Sequence, residues 1–180
     1  MSKGVRGGKR NYTVLQSSVK FSNNDSIKEL EYYVDSNGIT RLNGYEGWSL
    51  DFNTHSQAEI EDGKWLQNVI GEQVYLMPAV NLPKEVRSSD YITESGIRIE
   101  HKAPGENSKQ IARVIEEGKG QATVFLVDIT KTTITKSQID NEIPKIFYKY
   151  KSTQHAETIY VKRGDRLIGK YEKGSTSMQK

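Results

Sequence analysis

Hydrophobic positions change period several times along the chain, and each change predicts an element. Tyr12 to Phe21 and the ELEYYVD stretch, Glu29 to Asp35, alternate closely enough for strands. Ser36-Asn37-Gly38 and Leu42-Asn43-Gly44 supply turns, since Asn-Gly tolerates positive φ. Ala58, Trp65, Leu66 and Val69 fall at helical spacing, which predicts a helix from about His55 to Ile70, capped by Asn53 or Thr54 and stopped by Gly71. VYLMP (74–78) predicts a short buried strand and NLPKEVRSS (81–89) a loop. Two short strands follow, near 90–93 and 97–102, joined through Glu94-Ser95-Gly96 as a hairpin. Beyond the break at Pro104-Gly105, Ile111, Val114 and Ile115 predict a helix over 108–117 that ends at Gly118. ATVFLVDI (122–129) is the continuous apolar run expected of a strand covered on both faces.

A further helix should start at Thr135 or Ser137 and use Ile139, Ile143, Ile146 and Phe147, with Pro144 kinking it or marking its true start. TIYVKR (158–163) and RLIGKYE (166–172) form a last hairpin around Gly164-Asp165. Helices alternating with strands from His55 onward predict an α/β fold, a mixed sheet flanked by helices. Three regions result: a basic arm and β-rich appendage over 1–52, a main domain over 53–173 and a polar tail over 174–180.

Composition narrows the chemistry. With 180 residues and 34% hydrophobic content, the chain is long enough for a core without staples. It has no cysteine, which excludes disulfides, zinc–thiolate sites and a cysteine nucleophile. No apolar run approaches the roughly 20 residues that span a bilayer, so no membrane partner is expected. The start, MSKGVRGGKR, is basic but lacks an apolar segment behind it, so it is not read as a secretory signal. A net charge of +3 permits nucleic-acid binding without requiring it.

The most informative stretch is SSDYITESGIRIEHK (88–102). Asp90 falls on the first hairpin strand. Glu100 and Lys102, two apart on the second, project from one face, with His101 on the other. Two carboxylates suit a hard divalent cation, which polarises a phosphoryl oxygen and acidifies water. A neighbouring lysine can orient that water or stabilise developing charge. A Glu-x-Lys pair alone is common on solvated strands; Asp90 at hairpin distance and the buried strand that follows set this one apart.

Asp90, nine intervening residues and Glu100-His101-Lys102 resemble the motif of the PD-(D/E)XK nuclease superfamily. Over about 55–172 the chain also resembles the C-terminal nuclease domain of contact-dependent growth-inhibition toxins and the related C-terminal domain of phage minor head proteins. Lys119-Gly120-Gln121-Ala122, leading into the long strand, is part of that likeness.

The resemblance implies a restriction-endonuclease-like domain that hydrolyses phosphodiester bonds, with RNA, and tRNA within it, favoured as substrate. It implies Asp90 and Glu100 as metal ligands, Lys102 as catalytic lysine, Glu59 as an additional acid and ligand with Glu61 as fallback, and Gln121 as an accessory polar group. Mg²⁺ is the implied metal, with Mn²⁺ as an alternative. An acidic immunity protein is the implied partner. The implied site of action is cytoplasmic, after delivery from another cell or in association with a virion. Where the superfamily has proline before the aspartate, this chain has Ser89.

Lys109, Arg113 and Lys119 are candidates for phosphate contact, followed by Arg87, Arg98, Lys131 and Lys136. Asp128 is either a further acid or a loop residue. His55 and His155 lack metal-ligand spacing. Two other readings stay open. One is a metal-independent RNase of the barnase, EndoU or colicin type, using Lys102, His101, Arg113 and Thr130. The other is a non-catalytic phage structural or binding module.

Overall fold

In the computed structural model the described residues are 55–77 and 88–175, together with the backbone of the strands at 28–29, 32–34, 40–42, 49–51 and 79–82. The basic arm, the strand expected at 12–21, both early turns, Tyr45, Trp48, Arg87 and residues 176–180 lie outside them.

The elements run β1 (Lys28–Glu29), β2 (Tyr32–Val34), β3 (Thr40–Leu42), β4 (Ser49–Asp51), α1 (Gln57–Ile70), β5 (Val74–Leu76) and β6 (Ala79–Leu82). They continue with β7 (Tyr91–Thr93), β8 (Arg98–Lys102), α2 (Ala112–Glu117), β9 (Val124–Asp128), α3 (Lys136–Tyr148), β10 (Thr158–Arg163) and β11 (Arg166–Glu172). Seven strands form one mixed sheet in the order β1-β5-β7-β8-β9-β10-β11, while β2–β3 and β4–β6 pair separately. The mixed α/β architecture expected from the alternation of elements is therefore observed, with β8, β9 and β10 parallel at its centre.

Several boundaries move. Helix α1 is capped by Ser56 and not by Asn53 or Thr54: the Ser56 side chain accepts from Glu59 N at 3.2 Å, and Glu59 Oε2 accepts from Ser56 N at 2.5 Å. This reciprocal box satisfies two of the amides that a helix start leaves open. Gly71 ends the helix in the left-handed region, at φ 80. Helix α2 is shorter than expected, starting at Ala112 because Ile111 N and Ala112 N both donate to the buried Glu142 of α3, each at 2.9 Å. Pro144 lies inside α3 and does not start it; the cap is Thr135, boxed with Gln138. Part of the expected loop at 81–89 is strand, since β6 reaches Leu82. No helix among the described residues is long and apolar enough to cross a membrane.

Side chains alternate across the sheet and divide the core in two. Val124, Leu126 and Tyr160 join Ile99, Tyr91, Val74 and Leu76 under α1, through Ile60 and Leu66. Phe125, Val127, Ile159 and Val161 face α2 and α3, meeting Ile111, Ile115, Ile139, Ile143, Ile146 and Phe147. Strand β9 is thus covered on both sides, as its apolar run predicts, and successive residues of β8 face different compartments.

Candidate functional site

The register of β8 on β9 sets the site. Glu100 lies opposite Phe125 and Lys102 opposite Val127, so both project to the α2–α3 side. His101, opposite Leu126, projects to the α1 side. Asp90 stands one residue before β7, a correction to the expectation that it lies on the strand. Its Oδ2 accepts from the His101 amide at 2.8 Å, which seats it beside Glu100. Burial raises the Asp90 carboxyl above the ordinary carboxylate range, against the pull of that amide.

Glu100 is only 2% exposed. Oε1 accepts from the Lys102 ammonium at 2.7 Å, while Oε2 is buried and accepts no hydrogen bond from any described residue. Burial, reinforced by the Asp90 charge, pushes its carboxyl up to about 7 despite the lysine. Lys102 Nζ also lies 3.4 Å from Gln121 Oε1, and Gln121 Nε2 donates to Ser88 O at 3.2 Å. Ser89 is buried and donates through Oγ to Tyr91 O at 3.0 Å. Asp90, Glu100, Lys102 and Gln121 therefore come together.

Glu59 approaches from the start of α1. Its charge contributes to the upward shift at Asp90, and its carbonyl accepts from the Tyr91 hydroxyl at 2.7 Å. Its own carboxylate is engaged in the helix cap. Glu61 is exposed and bonds Gln57 at 3.1 Å, so the fallback acid points elsewhere.

Two carboxylates with an orphaned buried oxygen form a donor set of hard oxygens, which fits a small divalent cation such as Mg²⁺. The pair holds negative charge in a poorly solvated place, and an entering cation would relieve both its desolvation and its repulsion.

Beside Lys102 a cleft of about 620 Å³ is lined by Ala103, Ser108, Lys109, Arg113, Val114 and Glu117. Two of the three leading phosphate-binding candidates thus line this cleft, which reaches the site through Ala103, next to Lys102 in sequence. Arg113 is paired with Glu117 at 3.1 Å, and Lys119 lies outside the lining. Arg98 lines a second cleft of about 600 Å³ with Gln121 and His155, and Lys136 is paired with Asp140 at 2.6 Å.

A second polar cluster, not anticipated as such, occupies the α1 side. His101 Nε2 lies 3.2 Å from Asp62 Oδ2, an ion pair when the imidazole is protonated, without the geometry of a hydrogen bond. Lys162 contacts Asp62, lies 4.0 Å from Asp128 Oδ2 and sits 5.3 Å from the centre of the Trp65 ring. One donor atom from each of Asp62, His101 and Asp128 falls within 4.8 Å of the others, close enough to hold a cation. Lys162 supplies positive charge there from within the chain. A sequence signal existed: Asp62 is spaced with Leu66 and Val69 at i, i+4 and i+7, on the apolar stripe of α1.

The residues named for a metal-independent RNase do not converge. His101 lies across the sheet from Lys102, Thr130 bonds Asp128 and the Gly164 amide, and Arg113 bonds Glu117.

No curated protein matches the chain. Among solved structures, the CdiA-CT/CdiI toxin and immunity complex from Burkholderia pseudomallei matches with a TM-score of 0.48 and 22% identity, over 64% of this chain and 82% of that one. Residues 87–167, which contain Asp90, Glu100, Lys102 and Gln121, match the family model of the contact-dependent growth inhibition CdiA C-terminal domain.

Proposed function

We propose that the chain is a toxin nuclease domain of the contact-dependent growth-inhibition type, a metal-dependent endonuclease of the PD-(D/E)XK superfamily acting on RNA, with tRNA as the leading substrate. The observation that carries the metal dependence is Glu100, whose buried Oε2 is left without a partner next to Asp90. The match over residues 87–167 supports the toxin reading, and the preference for RNA rests on the resemblance of the sequence.

Asp90 and Glu100 would hold the cation, Mg²⁺ first and Mn²⁺ as an alternative, with Glu59 as the third acid once its carboxylate leaves the Ser56 amide. When bound, that ion supplies Lewis-acid polarisation of a phosphoryl oxygen. Lys102, a partly buried ammonium on a strand, offsets negative charge developing on the phosphate and orients the attacking water. The His101 amide fixes Asp90 so that its second oxygen stays available. Lys109 and Arg113, lining the adjoining cleft, take neighbouring phosphates; such contacts position the strand without reading its sequence.

An acidic immunity protein that covers the site belongs to this reading, on the resemblance of the sequence. Delivery from another cell and action in the recipient cytoplasm belong to this reading. The test is cleavage of total RNA and plasmid DNA by purified protein, with Mg²⁺ and with EDTA, beside Asp90→Ala. Cutting that needs the metal and Asp90 is the expected result. Cutting that survives EDTA, or no cutting by folded protein with any divalent metal, would overturn the assignment.

A further inference from the structure

The Lys102 ammonium occupies the place where a cation would meet Glu100, at 2.7 Å from Oε1. A divalent ion entering between Asp90 and Glu100 repels that ammonium, which needs another acceptor within reach. Gln121 Oε1 is already 3.4 Å from it. The orientation of the Gln121 amide is set by its other end: Nε2 donates to the Ser88 carbonyl, so the oxygen must face the lysine. The stem of Lys102 is confined as well. A Cβ at Gly118 would stand 3.1 Å from its Cε, so the stem runs against the bare α-carbon there. A confined stem with two acceptors at its tip can exchange one for the other without leaving the site.

We propose that Gln121 draws the Lys102 ammonium off Glu100 when a divalent cation enters, and so sets how tightly Asp90 and Glu100 hold the metal. The inference rests on the metal site of the preceding section and adds a control on its loading. Gln121 is here a positioning residue, acting on the cation only through Lys102. Its contribution exists only while the lysine is present, which makes the idea separable from a general structural role.

The experiment is Mn²⁺ titration of the full chain, followed by the electron paramagnetic resonance of the free ion. It compares the parent with Gln121→Met, Lys102→Met, the double variant and Asp90→Asn. Gln121→Met keeps the length of the side chain and removes the amide. It should weaken Mn²⁺ binding about tenfold, the scale of one charged hydrogen bond. Lys102→Met should bind at least as tightly as the parent, because the resident ammonium is gone. In the Lys102→Met background the change at 121 should then have no effect. An equal weakening with and without the lysine, or none in either background, overturns the role of Gln121 while leaving the metal site standing. Binding that Asp90→Asn does not weaken overturns the site itself, and this inference with it.

Discussion

Asp62 on α1 and Lys162 on β10, 100 residues apart in sequence, form an ion pair inside the protein, with side chains only 10% and 6% exposed. The pair fastens the helix that carries Glu59 to the strand that lies next to β9. Removing one partner leaves a charge in a place with little water, so Asp62→Ala should cost about 3–5 kcal/mol of unfolding free energy. Replacing both with apolar residues, Asp62→Leu with Lys162→Met, should cost far less. Urea denaturation of the parent and these two variants decides it; a single variant as stable as the double would show that the charges do not depend on each other.

The raised carboxyl of Glu100 gives the metal-free protein a pH signature. Between the ordinary 4.5 and about 7, the folded state keeps a proton that the unfolded chain has released. Stability from this group is therefore full below pH 4.5 and lost as pH rises through 7, by an amount on the order of 3 kcal/mol. In EDTA, Glu100→Gln should flatten the fall in stability between pH 5 and 8. It should also leave the variant more stable than the parent at pH 8. Parallel curves for the two proteins would remove the basis for this shift.

Gly118 is required for space. Its φ is −81, an ordinary value, but a Cβ there would lie 2.5 Å from Cε1 of the buried Phe125 ring. Gly118→Ala should cost about 1–3 kcal/mol, the usual penalty for overpacking. Thermal denaturation should register it as a lower midpoint, and an unchanged midpoint would mean that Phe125 moves aside freely.

Glu142 replaces a conventional cap for α2. Both of its oxygens accept from the first amides of that helix, and its side chain is buried. Glu142→Ala leaves two donors without acceptors and should cost about 2–5 kcal/mol. Glu142→Gln, which keeps one acceptor oxygen, should lie between. Hydrogen exchange at Ile111 and Ala112 reads the effect directly; protection that survives Glu142→Ala would contradict it.

The elements legible in the sequence are those with a local cause. The both-sided burial of β9 follows from an unbroken apolar run, and the segregation of Glu100 and Lys102 from His101 follows from alternation. Gly71 ends α1 where the pattern stops. What the sequence hid depends on distant partners. The start of α2 is fixed by a glutamate 30 and 31 residues downstream, so helix periodicity over 108–117 extends it too far. Asp62 stood on an apolar stripe, but nothing local names Lys162 as its counterion. Within the candidate site, the hairpin gives the spacing of Asp90, Glu100 and Lys102. The approach of Gln121 depends on the lead-in to β9 and the segment before β7 meeting in space.

The placement of α1 bears on how this chain can be cut. The stretch at 87–167 begins after that helix, yet Tyr91 within it donates its hydroxyl to Glu59 O, and Lys162 within it relies on Asp62. A fragment starting at residue 87 would strip the cover from Ile99 and Leu126. It would leave Tyr91 without its acceptor and Lys162 with only the more distant Asp128. The shortest piece able to stand alone therefore starts no later than Ser56, and any graft of this module between chains must carry its first helix with it.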